Sequence, residues 1–267
     1  MSRIDDTFAD LRRRNHRALI PYMMVGYPDY ESTKNIIRGM ISGGADVIEL
    51  GFPFSDPLAD GPTIQRAATT SLHNGTTLST YYDVLDYIRD LTEIPLICMT
   101  YSNIAYNIGY EGFVSGLQKH GADGIILPDM PIDESEEYRY TASKYNMDTI
   151  FLASPNSTDS RCASIIEASN GFLYLVAVYG TTGTQTGVQR YAIDALCRIK
   201  RMSGNLPVGV GFGVRTSEDV RTYIKNGADA IIVGSAILNM VHGASSGMEA
   251  AIHRYVSTLK KSTTAVV

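Results

Sequence analysis

A short pattern that occurs three times limits the folds open to this chain. Residues 44–51, 121–128 and 227–234 each begin with Gly-Ala-Asp and continue into a mostly apolar run. A glycine can end a helix in the left-handed conformation, and an apolar run that follows a turn is typical of a buried strand. The three copies therefore predict three similar junctions, each leading from a helix into a strand.

Five further apolar segments fit the spaces between these copies, at residues 19–24, 95–100, 148–153, 172–176 and 207–210. Stretches with helical spacing of apolar residues separate the strands. Buried strands that alternate with helices indicate a parallel sheet, and eight such units in 267 residues predict a (β/α)8 TIM barrel. We expect residues 1–267 to form a single domain. A doubly wound open sheet is the alternative, but the glycine pattern that would suggest it lies far from the first strand.

The two ends of the chain carry their own signals. Ile4, Phe8 and Leu11 are spaced as on one face of a helix, which predicts an extra N-terminal helix that covers the bottom of the barrel. Residues 260–264 are polar, and we expect this tail to fray.

Composition excludes several classes of function. The net charge of −5 and the lack of any basic run beyond residues 12–14 argue against a nucleic-acid surface. No apolar run approaches the roughly 18 residues that span a membrane. The five histidines lack metal-ligand spacing, so no metal site is expected. The N-terminus has no apolar signal-peptide core, and the three cysteines are far apart, which favours the reducing cytoplasm.

The segment from residue 46 to residue 62 carries the strongest chemical signal. Glu49 interrupts the apolar run of a predicted buried strand, where a carboxylate must find a partner or acquire a raised pKa. It could be a structural glutamate paired with a Lys or Arg, but its place near a strand's carboxyl end favours a general acid or base. A stiff, proline-rich loop follows. Asp60 is eleven residues beyond Glu49, too far for a fixed local contact, but a loop that folds back could bring it near.

Glycines follow each of the last three predicted strands and suggest a phosphate site. These glycines allow backbone amides to approach an anion closely, and Ser235 can open a short helix whose amino end favours phosphate. Barrels often bind phosphate in this quadrant. No Lys or Arg lies within the cluster, and Arg215 is the nearest. We therefore expect amides and hydroxyls to bind the anion, although the glycines could serve only as turn formers.

Long motifs in this sequence resemble those of the tryptophan synthase α subunit family. Residues 48–51, followed by the Phe-Ser-Asp-Pro-Leu-Ala-Asp-Gly run at residues 54–61, match the family's signature. Residues 128–131, 211–213 and 234–235 extend the resemblance over nearly the whole chain. Tyr22 and Tyr27 depart from it, since Phe and an acidic residue are usual at these positions.

The resemblance implies a lyase that cleaves indole-3-glycerol phosphate to indole and glyceraldehyde 3-phosphate without a metal or an organic cofactor. It assigns Glu49 as the general acid and base that protonates indole C3 and accepts the glycerol hydroxyl proton. Asp60 is implied to bind the indole N–H and to stabilise the cation. Both roles agree with the chemistry, because indole accepts electrons from the breaking C–C bond only after C3 is protonated.

The family resemblance also implies the remaining site residues. Gly183, Gly213, Gly234 and Ser235 would bind phosphate, and Thr182 would close over the site and contact Asp60. A β subunit would join the chain in an αββα heterotetramer and receive the indole. Its implied contact surface is the loop after Glu49, with Pro53, Asp56 and Pro57. The residues implied to line the indole slot are Tyr22, Thr100, Tyr101, Ile126, Tyr174, Phe212 and Ile232.

Two other functions remain open at this point. Another phosphosugar barrel, such as an isomerase or indole-3-glycerol phosphate synthase, would share the phosphate site. A synthase of that kind would place a lysine near the substrate, and no lysine ends a predicted strand. A non-catalytic activator of a β subunit would be expected to lack Glu49 or Asp60, and both are present.

Overall fold

A computed structural model describes residues 2–177, 187–242 and 247–264. Within these ranges there are nine strands, all paired in parallel. The strands are β1 (Ala18–Met24), β2 (Ile48–Gly51), β3 (Leu96–Met99), β4 (Gly124–Ile126), β5 (Asp148–Ile150), β6 (Leu152–Ala153), β7 (Leu173–Val176), β8 (Val208–Gly211) and β9 (Ala230–Val233).

The sheet curves into a barrel whose strands follow each other in chain order. Its order is β5-β4-β3-β2-β1-β9-β8-β7-β6, so the two ends of the sheet are the consecutive strands β5 and β6. These are two parts of the predicted fifth strand, separated only by Phe151, whose carbonyl accepts a hydrogen bond from the Tyr174 amide at 3.0 Å. Eight strand positions therefore close a ring. The predicted (β/α)8 TIM barrel is confirmed, and the doubly wound alternative is wrong.

Helices surround the barrel and bury an apolar face against it. Twelve α-helices and one short 3-10 helix, Ile132–Glu134, lie within the described ranges. The α-helices are α1 (Arg3–Arg13), α2 (Tyr30–Gly43), α3 (Pro62–His73), α4 (Leu78–Arg89), α5 (Ser102–Ile108), α6 (Tyr110–Lys119), α7 (Glu136–Lys144), α8 (Asp159–Ala168), α9 (Arg190–Met202), α10 (Ser217–Lys225), α11 (Ser235–His242) and α12 (Met248–Lys260). None of the described helices is long and apolar enough to cross a membrane.

The three Gly-Ala-Asp copies are helix-to-strand junctions, as predicted, and their aspartates have a role that the pattern did not reveal. The carboxylate of Asp229 accepts a hydrogen bond from the Val208 amide at 2.9 Å, while the Asp229 amide donates to the Val208 carbonyl at 2.8 Å. Lys200 pairs with the same carboxylate. Equivalent contacts join Asp46 to Leu19 and Lys260, and Asp123 to Leu96 and Arg89. Each aspartate thus ties the start of its strand to the neighbouring strand.

The predicted N-terminal helix is present as α1. Its first turn is capped by Ser2, whose hydroxyl accepts a hydrogen bond from the Asp5 amide. Ile4, Phe8 and Leu11 are buried, and the Phe8 ring lies 5.7 Å from that of Phe172, which precedes β7. The helix therefore covers the amino-terminal end of the barrel, opposite the end at which chemistry is expected.

The expectation that residues 260–264 fray is wrong. Thr263 is fully buried, its carbonyl accepts a hydrogen bond from the Arg17 amide at 2.9 Å, and Thr264 forms an antiparallel bridge with His16. Lys260 binds the buried carboxylate of Asp46 at 2.6 Å. Polarity suggested an exposed tail, but this tail satisfies its backbone by pairing with the segment that leads into β1.

Candidate active site

Glu49 lies inside the barrel near the carboxyl end of β2. The parallel register places it beside Tyr22 on β1 and Ile97 on β3, and its side chain is 1% exposed. Among the described residues neither oxygen has a hydrogen-bond partner recorded, and Oε2 is completely buried. Burial, followed by the charge of Asp60, raises the pKa of Glu49 to about 8. The structural alternative, a glutamate paired with Lys or Arg, is therefore not what the described residues form.

The loop between β2 and α3 folds back toward the barrel and buries Asp60. The Asp60 amide donates to the Pro57 carbonyl at 3.1 Å, and the Gln65 side chain donates to the Asp60 carbonyl at 2.9 Å. Burial raises the pKa of Asp60 to about 6, and the nearby Tyr101 hydroxyl opposes the rise. That hydroxyl also accepts from the Ala59 amide at 3.0 Å, so Tyr101 holds the loop beside the site.

The two carboxyl groups therefore differ in protonation between about pH 6 and pH 8. In this window Asp60 is mostly anionic while Glu49 is mostly neutral, because Glu49 is the more deeply buried and also experiences the negative charge of Asp60. A neutral carboxyl group can donate a proton, and a neighbouring carboxylate can stabilise a cation. Enzymes that use acid–base chemistry often contain two neighbouring carboxyl groups, one of which is protonated while the other is ionised.

A cavity opens above Glu49 at the carboxyl end of the barrel. It joins several predicted indole-slot residues to the predicted phosphate residues. The predicted residues that line it are Tyr22, Glu49, Tyr174, Phe212, Gly213, Ile232, Gly234 and Ser235. The rings of Tyr174 and Phe212 meet edge to face at 6.0 Å, so an aromatic wall stands on one side of the cavity.

Phe212 has an uncommon backbone conformation. Its φ angle is +72°, in the left-handed region, and Gly213 follows at +82°. A bulky residue with positive φ costs free energy, on the order of 1–3 kcal/mol, and such residues cluster at functional sites. This conformation orients the aromatic ring along the cavity while the chain turns after β8.

Three predicted slot residues lie beside the cavity but do not line it. Ile126 is fully buried on the inward face of β4, below the opening, and Tyr101 supports the loop that carries Asp60. The Thr100 hydroxyl donates to the Phe52 carbonyl at 3.2 Å. Met99 lines the cavity instead of Thr100, because side chains alternate along β3 and Met99 shares the inward face with Ile97. Strict alternation from the predicted strand could have identified Met99.

The amino end of α11 and the turn after β8 form the other end of the cavity. Gly234 and Ser235 precede and begin α11, whose first amides have no partner within the helix. Arg215 also lines this end, where we had expected no basic side chain, and no ion pair of Arg215 is recorded among the described residues. The predicted residues Thr182 and Gly183 lie outside the described residues. Ile64 and Val214, which the sequence analysis missed, complete the lining.

The predicted partner-contact residues differ in exposure. Asp56 is exposed and Pro57 is partly buried, so both reach the surface of the loop. Pro53 is buried within the loop, and its predicted contact with a partner stays a prediction. Leu58 is 88% exposed, although large apolar side chains are usually covered. This exposed segment, residues 55–58, adjoins the loop turn that carries Asp60.

Within the described part of the chain, no group of three or more His, Cys, Asp or Glu side chains could hold a metal ion. The candidate site brings together two carboxyl groups, an aromatic wall, the glycines beside α11 and Arg215.

Comparisons with known proteins agree with this geometry. The family model described as "Tryptophan synthase alpha chain" matches residues 8–266. The tryptophan synthase alpha chain of Methanoregula boonei is 40% identical over 264 residues, which cover 98% of each chain. A structure of Mycobacterium tuberculosis tryptophan synthase superposes with a TM-score of 0.90 at 32% identity and covers 98% of each chain. A chain of the tryptophan synthase complex from Pyrococcus furiosus superposes with a TM-score of 0.86 at 35% identity, covering 92% of this chain and 98% of that one. This chain belongs to the tryptophan synthase alpha chain family.

Proposed function

We propose that this protein cleaves indole-3-glycerol phosphate to indole and glyceraldehyde 3-phosphate. The observation that carries the proposal is the pairing of two buried carboxyl groups that differ in protonation. Glu49 lines the cavity together with the glycines beside α11, and Asp60 lies close enough for its charge to raise the pKa of Glu49. A retro-aldol cleavage of this substrate requires a proton donor, a stabiliser of positive charge and an anchor for phosphate. The three requirements correspond to three adjacent parts of this site.

The reaction would begin with proton transfer from neutral Glu49 to indole C3. The ring becomes a cation whose N–H lies against anionic Asp60. Glu49, now a carboxylate, then accepts the proton of the hydroxyl on the carbon attached to C3. As the carbonyl of the aldehyde forms, the C–C bond breaks and its electron pair returns to the ring, which leaves as neutral indole. Glu49 is protonated again at the end, so protons and electrons balance.

Phosphate would bind at the far end of the cavity. The amides of Gly213, Gly234 and Ser235 supply donors, and the amino end of α11 favours an anion through its dipole. The aromatic side chains of Tyr174 and Phe212 would contact the flat indole ring. Anchoring the phosphate would fix the distance between the reacting carbon and Glu49, which is how a bound group accelerates chemistry elsewhere on the substrate.

A β subunit is the proposed partner, in an αββα complex that receives the indole. The exposed segment at residues 55–58, with Asp56, Pro57 and the uncovered Leu58, is the proposed contact surface. It adjoins the turn that buries Asp60, so partner binding can act on the catalytic loop directly.

We propose that the chain works as one domain in the reducing cytoplasm, in line with its three free thiols.

The test is release of indole from indole-3-glycerol phosphate, measured with and without a β subunit. We expect slow release by the protein alone and faster release with the partner. Glu49→Gln should lower kcat by about 10²- to 10⁴-fold or more while ligand affinity changes little, and Asp60→Asn should also be severe. Exposed Glu137→Gln is the matched control, with activity unchanged. Folded protein that releases no indole under either condition would refute the proposal.

The same assay separates the two other functions. An activator without catalysis would release no indole and yet stimulate the β subunit, with Glu49→Gln as active as the wild type. An indole-3-glycerol phosphate synthase would form the substrate from its precursor. No lysine lines the cavity within the described residues, which disfavours that reaction.

A further inference from the structure

The hydroxyl of Tyr22 occupies a position that neither packing nor the proposed acid–base chemistry explains. Tyr22 is 3% exposed, lines the cavity and is the register neighbour of Glu49. Its ring lies between two glycines at the ends of strands, Gly51 in β2 and Gly234 after β9. A Cβ added to Gly234 would lie 3.0 Å from Tyr22 Cδ1, and one added to Gly51 would lie 2.3 Å from the Tyr22 hydroxyl. Tyr22 therefore extends from the phosphate end of the cavity toward the strand of Glu49.

No hydrogen bond of the Tyr22 hydroxyl is recorded within the described part of the chain. Two buried tyrosines outside the barrel lumen do have partners: the Tyr81 hydroxyl donates to the Leu50 carbonyl at 2.9 Å, and the Tyr138 hydroxyl donates to the Ile125 carbonyl at 3.3 Å. A hydroxyl that lines a cavity and has no protein partner is available to form a hydrogen bond with a ligand.

Electrostatics keep this hydroxyl protonated. Burial raises the pKa of Tyr22 well above its ordinary value, and the charges of Asp60 and Glu49 raise it further. Tyr22 is therefore a hydrogen-bond donor at every pH at which the protein would work, and it lies within electrostatic range of both carboxyl groups. The Tyr174 hydroxyl also has no hydrogen-bond partner among the described residues, but it lies against β8, where a Cβ added to Gly211 would be 2.1 Å away, and its ring packs against Phe212 in the aromatic wall.

We propose that the Tyr22 hydroxyl binds a hydroxyl of the three-carbon chain that links the phosphate to the ring of the substrate. This inference rests on the proposed function and adds a binding residue to it. The linking chain must cross the space between Gly234, at the phosphate end, and Glu49, which is the space that Tyr22 borders. The chain carries two hydroxyls, and only one of them exchanges its proton with Glu49. Tyr22 would thus select a hydroxylated three-carbon phosphate over an alkyl phosphate of the same length.

The test compares two ligands that differ only in hydroxyl groups, glycerol 3-phosphate and propyl phosphate. Calorimetry on the full-length wild type should show tighter binding of glycerol 3-phosphate. Tyr22→Phe should weaken the binding of glycerol 3-phosphate by about 3- to 10-fold, which corresponds to the loss of one neutral hydrogen bond. The affinity for propyl phosphate should change by less than about twofold. The matched control is Tyr138→Phe, which removes a buried tyrosine hydroxyl outside the lumen and should change neither affinity.

Two results would overturn the inference. Equal affinity of the wild type for both ligands would mean that no hydroxyl is recognised. An equal loss of affinity for both ligands in Tyr22→Phe would mean that Tyr22 only shapes the cavity. Either result, together with normal indole release by the wild type, would leave the proposed function intact. Failure of the wild type to bind either phosphate or to release indole would instead refute the proposed function.

Discussion

The carboxyl groups of Glu49 and Asp60 share one buried site, and the charge of Asp60 helps to raise the pKa of Glu49 to about 8. Asp60 itself has a pKa of about 6, because its burial is offset by the Tyr101 hydroxyl. Eleven positions separate the two residues in the sequence, and the fold of the intervening loop brings them together. This relationship leads to three predictions about titration and stability.

The first prediction concerns the pH dependence of activity. If neutral Glu49 is the acid, kcat/KM for indole release should fall tenfold per pH unit above about pH 8, where Glu49 loses its proton. The alkaline limb is the informative one, because the phosphate of the substrate titrates near pH 6 and obscures the acidic limb. Steady-state rates from pH 6 to pH 10 would test this, and a rate that continues to rise above pH 9 would contradict it.

The second prediction concerns the coupling between the two groups. Asp60→Asn removes a negative charge beside Glu49, so the pKa of Glu49 should decrease from its value near 8. Carbon-13 NMR of labelled glutamate carboxyl groups would follow the titration in the free protein. The control is Asp83→Asn, which changes an exposed carboxylate on α4. An unchanged midpoint in Asp60→Asn would show that burial alone sets the pKa.

The third prediction concerns stability. The folded state holds the Glu49 proton more tightly than the unfolded state, since the pKa rises from 4.5 to about 8 on folding. The cost of the buried charge is therefore absent below about pH 4.5 and grows as the pH rises toward 8. Glu49→Gln should be more stable than the wild type at pH 9, by about 3–5 kcal/mol, and nearly equal at pH 4.5.

Urea unfolding of the two proteins at pH 4.5 and pH 9 would measure this difference. A Gln variant that is less stable than the wild type at pH 9 would mean that the Glu49 carboxylate is stabilised by a partner. In that case Glu49 would have a structural role rather than the proposed acid–base role.

The fourth prediction concerns the phosphate end of the cavity. Gly234→Val should weaken the binding of glycerol 3-phosphate by at least about tenfold. Even a Cβ at this position would lie 3.0 Å from Tyr22 Cδ1, and a larger side chain would displace the backbone amides. Gly213→Val should act similarly, since φ there is +82°. Gly112→Ala on α6 is the control, with only an ordinary contact of 3.6 Å to Ile108. Unchanged affinity in both valine variants would remove phosphate from this end of the cavity.

The fifth prediction concerns the partner surface at residues 55–58. Asp56→Ala and Leu58→Asp should each lower the affinity for a β subunit, or its activation of indole release, while the melting temperature changes little, since both side chains are exposed. Leu91, which is 45% exposed, offers a control in Leu91→Asp. Size-exclusion chromatography at micromolar protein would measure complex formation, and a complex that is insensitive to both changes would place the interface elsewhere.

The sequence alone was sufficient for the features that depend on local chemistry. A glycine that ends a helix and an apolar run that begins a strand are properties of a few neighbouring residues, so the repeated junctions and the barrel could be predicted. Glu49 was identified because a charged residue in an apolar strand is conspicuous. The helical spacing of Ile4, Phe8 and Leu11 was sufficient for α1.

The tertiary structure decided the features that depend on distant parts of the chain. The turn after β8 brought Arg215 to the phosphate end of the cavity. Thr263 is buried, and its carbonyl accepts a hydrogen bond from the Arg17 amide, which is far away in the sequence. The pKa values of Glu49 and Asp60 likewise depend on burial and on each other's charge. Such effects depend on the distances between residues that are far apart in the sequence. Those distances are set only when the whole chain has folded into the closed barrel.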